Sequence, residues 1–151
     1  MNVLVVPSVP EPRVLLTRTL CFATWVANQA LAAKAWSGVT VVLTDDRGIA
    51  QLNERFLKHK GPTDVISFRL DPVPGERGAS GEVYVNTQRA LQRATRRWPA
   101  SKELALYIAH GIDHLGGASD HTPRLRARMR RRELRWLKKA GRHAQVSLRL
   151  M

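Results

Sequence analysis

Two histidines four residues apart open the segment His110-Gly-Ile-Asp-His114. On a helix, positions i and i+4 share one face, so both imidazoles can reach a single cation. Gly116-Gly117 then reads as a helix stop, and Asp120 and His121 follow ten and eleven positions after His110. Three of the five histidines of the chain fall within these twelve residues. A helical His pair, a glycine turn and a third donor form the layout of H-E-x-x-H-x-x-G-x-x-H zinc sites, with Gly117 at the glycine position. Three nitrogen or oxygen ligands with one open position describe a catalytic Zn2+ rather than a structural one. Asp120 and His121 are alternatives for the third ligand. Zinc proteases carry a glutamate general base directly after the first histidine; Gly111 stands there, which argues against proteolysis.

The elements that must position these groups follow from periodicity. Val3–Val6 reads as a buried strand ended by Pro7, with Pro10 and Pro12 in a linker. Leu16, Leu20, Ala23, Ala27 and Leu31 predict an amphipathic helix over Val14–Lys34, stopped at Ser37-Gly38. Val39–Leu43, Val65–Phe68 and Glu82–Val85 read as strands, and Asp71–Ser80 as a loop. Asp45 or Asp46 can cap a helix with Ile49, Leu52 and Phe56 on one face, and Thr87 one with Ala90, Leu91 and Ala94. A helix opened by Pro99 and Ser101 carries Leu104, Ile108 and Ile112 up to the His motif, and a last one runs from about Pro123 to Ala140. The tail Gln145–Leu150 alternates as an edge strand would. This order predicts a single α+β domain over residues 1–151, a central mixed β-sheet packed with helices, with the zinc site at the end of a helix.

Length and charge bound the function. With 151 residues the chain can bury a core without staples, and its single cysteine, Cys21, excludes an intrachain disulfide and a cysteine-rich zinc knuckle. No disulfide-linked partner is expected. Met1–Pro7 lacks the basic segment and the length of a signal sequence, and the most apolar stretch, Leu20–Ala33, is shorter than the ~20 residues of a membrane span. We therefore expect a cytoplasmic protein with no membrane partner. Net charge is +13, and residues 122–151 hold eleven Lys and Arg against Glu133 alone, a net +10. Leu125, Met129 and Leu137 form one apolar stripe on that helix and leave its arginines outward, a surface for a polyanion and above all nucleic acid. Arg89, Arg93, Arg96 and Arg97 could extend the track, with Trp98 as a stacking platform.

Four blocks together resemble one family. The segment from His110 to His121 resembles the H-G-x-L-H-L-x-G-x-D-H signature of the YbeY family, bacterial single-strand-specific metallo-endoribonucleases of rRNA maturation. Thr44–Asn53 resembles its V-D-D-x-x-I-x-x-L-N, Lys60–Phe68 its K-P-T-D-V-L-S-F, and Ser80–Thr87 its G-D-I-x-I-S-x-D/E-T. The resemblance implies one Zn2+ held by three residues of the His motif. It also implies a single-strand-specific endoribonuclease acting on rRNA of the small ribosomal subunit, in 16S 3′ end maturation and ribosome quality control. The alternative is a non-catalytic, metal-stabilised rRNA-binding assembly factor.

Three departures from the family pattern matter. The family's third histidine falls ten residues after the first, where this chain has Asp120; one extra turn residue would bring His121 in instead. Asp113 replaces an apolar residue and, at i+3 from His110, can orient an imidazole, accept a proton as a catalytic group beside His110 and His114, or face solvent. Leu57 stands where many relatives have an RNA-contacting arginine, so Arg55, Lys58, His59 and Lys60 are candidate substitutes. Arg128, Arg131 and Arg132 are the candidate RNA contacts of the last helix.

Overall fold

β-Branched runs separated by amphipathic helices leave the strands no choice but to share one buried sheet. The computed structural model describes residues 1–9 and 16–143. Four strands lie in the order β1-β2-β4-β3. β1 (Asn2–Pro7) and β2 (Trp36–Thr44) pair in parallel, β2 pairs in parallel with β4 (Ala79–Asn86), and β3 (Val65–Leu70) closes the far edge antiparallel to β4. Parallel neighbours need crossovers, and α1 (Leu16–Ala30) supplies the one between β1 and β2. α2 (Asp46–Leu52), α3 (Thr87–Gln92), α4 (Ala100–Leu115) and α5 (Pro123–His143) complete an α+β domain.

Alternation along the strands sends Val39, Val41, Leu43, Val83 and Val85 to one face, where α1 and α4 cover them. Leu104, Ile108 and Ile112 of α4 are fully buried against that face. Gly111 makes the close approach possible: a Cβ there would meet Val83 Cγ1 at 2.3 Å and Val65 Cγ2 at 2.9 Å. Ser67 Oγ donates to the Gly111 carbonyl at 2.8 Å, pinning the helix to β3. The residue that replaces a protease glutamate is thus the contact point of helix and sheet.

Several local expectations are corrected. Of the expected stripe Ala23, Ala27 and Leu31 are buried, whereas Leu16 and Leu20 stay exposed and Thr19, Phe22 and Val26 complete the buried face. Ser37-Gly38 lies inside β2, and a Cβ on Gly38 would meet the Asn2 carbonyl oxygen at 2.8 Å, so this glycine serves strand packing. After α2 the chain makes a π-helical turn, Asn53–Leu57, whose wider winding moves Phe56 out of line with Ile49. Phe56 is 55 % exposed and packs edge-on to Phe68. Asn86, not Thr87, caps α3 by accepting from the Arg89 N–H; the Thr87 hydroxyl donates to the Thr44 carbonyl. Asp45 caps α2 through the Gly48 N–H. Val14 and Leu15, the proline linker and the expected Gln145–Leu150 strand lie outside the described residues.

Candidate metal centre

α4 ends as its glycines dictate. Gly117 adopts φ +98°, its N–H bonds to the His114 carbonyl, and the Ala118 N–H reaches back to the Asp113 carbonyl. This pair of bonds is a Schellman stop. It turns the chain so that the Ala118 carbonyl accepts from His114 Nδ1 at 2.9 Å, and Asp120 returns over the helix end.

His110 is held from the other side. Both carboxylate oxygens of Glu133, a residue of α5 only 2 % exposed, lie 3.1 Å from His110 Nδ1. With Nδ1 of each ring facing an acceptor, the proton of each neutral imidazole sits on Nδ1 and leaves Nε2 bare. The two Nε2 atoms are 3.0 Å apart. Asp120 Oδ2 lies 3.4 Å from His114 Nε2 and 3.8 Å from His110 Nε2. Two bare lone pairs and a carboxylate at such spacing repel unless a cation or proton lies among them. Two zinc–nitrogen bonds of about 2.0–2.1 Å at a tetrahedral angle place their nitrogens about 3.3 Å apart, so the donor set fits zinc in both type and spacing.

Electrostatics around His110 agree with that preference. Burial opposes its charged form, but the hydrogen bond and charge of Glu133, followed by Asp120 and Asp113, outweigh burial and raise its pKa above the ordinary imidazole value.

Asp113 forms its side-chain hydrogen bonds with Arg132 and not with either imidazole. It is buried and takes a four-contact fork from Arg132, with distances of 2.8–3.2 Å. Burial raises its pKa, the Arg132 hydrogen bonds pull it back, and nearby Glu133 pushes it up again, with a net rise. Asp113 and Arg132 therefore clamp α4 to α5, and Arg132 is turned inward rather than toward solvent. His121 is exposed and lies outside the group formed by His110, His114 and Asp120. Arg126 Nη1 donates to the Asp120 carbonyl at 3.1 Å and holds the loop in place.

Of the candidate RNA contacts, Arg128 and Arg131 are exposed on α5. Arg55, Lys58, His59 and Lys60 are exposed around the π turn, with the Arg55 guanidinium 5.3 Å from the Phe56 ring centre. Arg89 and Arg93 both pair with Asp64, and Trp98 donates from Nε1 to Glu103 at 2.6 Å. Glu133 was missed from the sequence because it reads as a lone acid in a basic helix. Its place four residues after Met129, on the inward stripe, was the available signal.

Fold and site together define an α+β protein in which a sheet-backed helix and a glycine turn bring together His110, His114 and Asp120, a candidate cation site, beside a basic helix. The family model for Endoribonuclease YbeY matches residues 16–141, and the chain belongs to that family. Similar proteins include Endoribonuclease YbeY of Rhodopirellula baltica, 38 % identical over 126 residues, covering 78 % of this chain and 64 % of the relative. That of Anaeromyxobacter is 34 % identical, covering 71 % of this chain and 56 % of the relative. The chain thus spans less than two thirds of the length of these two relatives. The solution structure of TM1509 from Thermotoga maritima shares the fold, with a TM-score of 0.56 at 21 % identity, covering 93 % of this chain and 91 % of that one. Among the described residues no helix is long and apolar enough to cross a membrane.

Proposed function

We propose that the protein is a zinc-dependent, single-strand-specific endoribonuclease that acts in the cytoplasm on rRNA of the small ribosomal subunit, maturing the 16S 3′ end and serving ribosome quality control. Residues 1–151 form one catalytic domain in this reading. The observation that carries it is the facing pair of Nε2 atoms, 3.0 Å apart, with Asp120 beside them. The endoribonuclease name borne by the relatives supports the reaction class.

Bound zinc supplies a Lewis acid that polarises a phosphoryl oxygen and acidifies a water. His110, His114 and Asp120 hold it, with Asp120 rather than His121 as third ligand. Glu133 and the Ala118 carbonyl fix the two tautomers, and Arg126 holds the Asp120 loop. Asp113 is a positioning residue, since Arg132 occupies both of its oxygens. The exposed arginines of α5 draw in the strand through phosphate contacts, which give affinity without sequence readout.

Zinc-loaded protein is expected to cut a single-stranded RNA, and His114→Ala to abolish cutting while the fold persists. Asp120→Asn should weaken zinc binding and His121→Ala leave it unchanged. Tight, salt-sensitive RNA binding by zinc-loaded protein without any cutting would make the protein a metal-stabilised assembly factor instead.

A further inference from the structure

Beside the metal centre lies a cavity of about 300 Å³. His110 and Asp120 line it together with Tyr107, Arg93, Arg126 and Arg130. Three carboxylates also reach the cavity, and each is already engaged. Asp64 serves Arg89 and Arg93, Glu103 accepts from Trp98, and Glu133 holds His110. Two of the arginines, by contrast, lack a counter-charge. Arg126 meets only the neutral Asp120 carbonyl, and Arg130 forms no ion pair among the described residues.

Tyr107, only 3 % exposed, forms part of the cavity wall. Two guanidinium groups line the cavity without a counter-charge, and what they jointly lack is an anion with several acceptor oxygens. Arginine forks suit phosphate for that reason.

We propose that this cavity is a phosphate subsite, in which Arg126 and Arg130 receive one backbone phosphodiester of single-stranded RNA next to the bond presented to the metal. It rests on the nuclease reading above and adds a register to it. The outer arginines of α5 can touch phosphates anywhere along a strand, whereas a subsite lined by two metal ligands selects one linkage. Arg126 also holds the Asp120 loop, so Arg130 is the group to vary.

The test uses the full zinc-loaded chain and a 2′-O-methyl heptanucleotide in which one neutral methylphosphonate is walked along the backbone, with binding read by fluorescence anisotropy. One linkage is expected to be sensitive, its neutralisation raising Kd about tenfold, the usual size of a lost charge-assisted contact. Arg130→Gln should erase that sensitivity at the same linkage, with a thermal melt to confirm the fold. Equal losses at every linkage, a sensitive linkage unchanged in Arg130→Gln, or no binding would each overturn the subsite. A single sensitive linkage in a protein that cuts no RNA would sink the nuclease reading and leave the subsite standing. Cutting with a uniform profile would do the reverse.

Discussion

Glu133→Gln separates an oriented imidazole from one that merely happens to be near a metal. The carboxylate is 2 % exposed, and both oxygens lie 3.1 Å from His110 Nδ1. Glutamine keeps the volume and one acceptor oxygen and removes the negative charge. Losing an orienting partner of a metal-bound histidine lowers metal affinity about 10–100-fold. That corresponds to about 1.4–2.7 kcal/mol. Because the amide oxygen still accepts from Nδ1, we expect about tenfold for Glu133→Gln and about hundredfold for Glu133→Leu, which removes the acceptor as well. The substitution also removes the Glu133 charge, one of the causes that raise the His110 pKa, and weakens the hydrogen bond that is the other Glu133 cause. In the parent protein a proton competes with zinc up to that raised pKa; in the variant the competition ends at lower pH. The zinc deficit of Glu133→Gln should therefore be full well above the parent's His110 pKa and shrink toward the ordinary imidazole value of about 6.5. Competition with a chromophoric chelator across that range measures it, with thermal melts to check the fold. Equal zinc affinity in variant and parent at high pH would refute the reasoning, as would a deficit independent of pH.

The metal-free protein carries its own pH signature. His110 has a folded pKa above its unfolded value, so its contribution to stability is fully present below about pH 6.5 and is lost as pH rises through the folded pKa. Denaturant melts of the parent and His110→Gln should converge with rising pH, and a gap that widens would contradict this. Gly111→Ala drives a methyl into Val83 and Val65 and should cost about 1–3 kcal/mol, read as a lower denaturation midpoint. An unchanged midpoint would mean that α4 can lift from the sheet freely. Arg132→Ala leaves the buried Asp113 unpaired and should cost about 3 kcal/mol, the lower end for a broken buried pair because the Arg132 side chain is 29 % exposed. Asp113→Ala should cost less, since the freed guanidinium can turn to water; the reverse order in urea melts would refute the assignment.

The sequence by itself determined most of the elements and the pairing of the two histidines. Spacing of three to four residues in α4, strand alternation in β2 and β4, and the Gly116-Gly117 stop are local properties, set by backbone geometry within a few residues. The i, i+4 histidines belong to the same class, because one helical turn decides which groups share a face. Where a register depends on distant partners, the local signal failed. Leu16 and Leu20 read as core, yet α1 turns Phe22 and Val26 to the sheet, and the π turn after α2 carries Phe56 out of its expected row.

Only the tertiary structure decided what surrounds the histidines. Asp120 and His121 are neighbours in the chain, and the path of the loop after the Schellman stop, held by Arg126, brings the aspartate to the pair. Glu133 and Arg132 lie nineteen or more residues from their partners on α4, and nothing in a linear sequence says which turn of α5 will face which turn of α4. The packing of two helices on one sheet, made close by a glycine, turns a basic surface helix into the support of the candidate cation site.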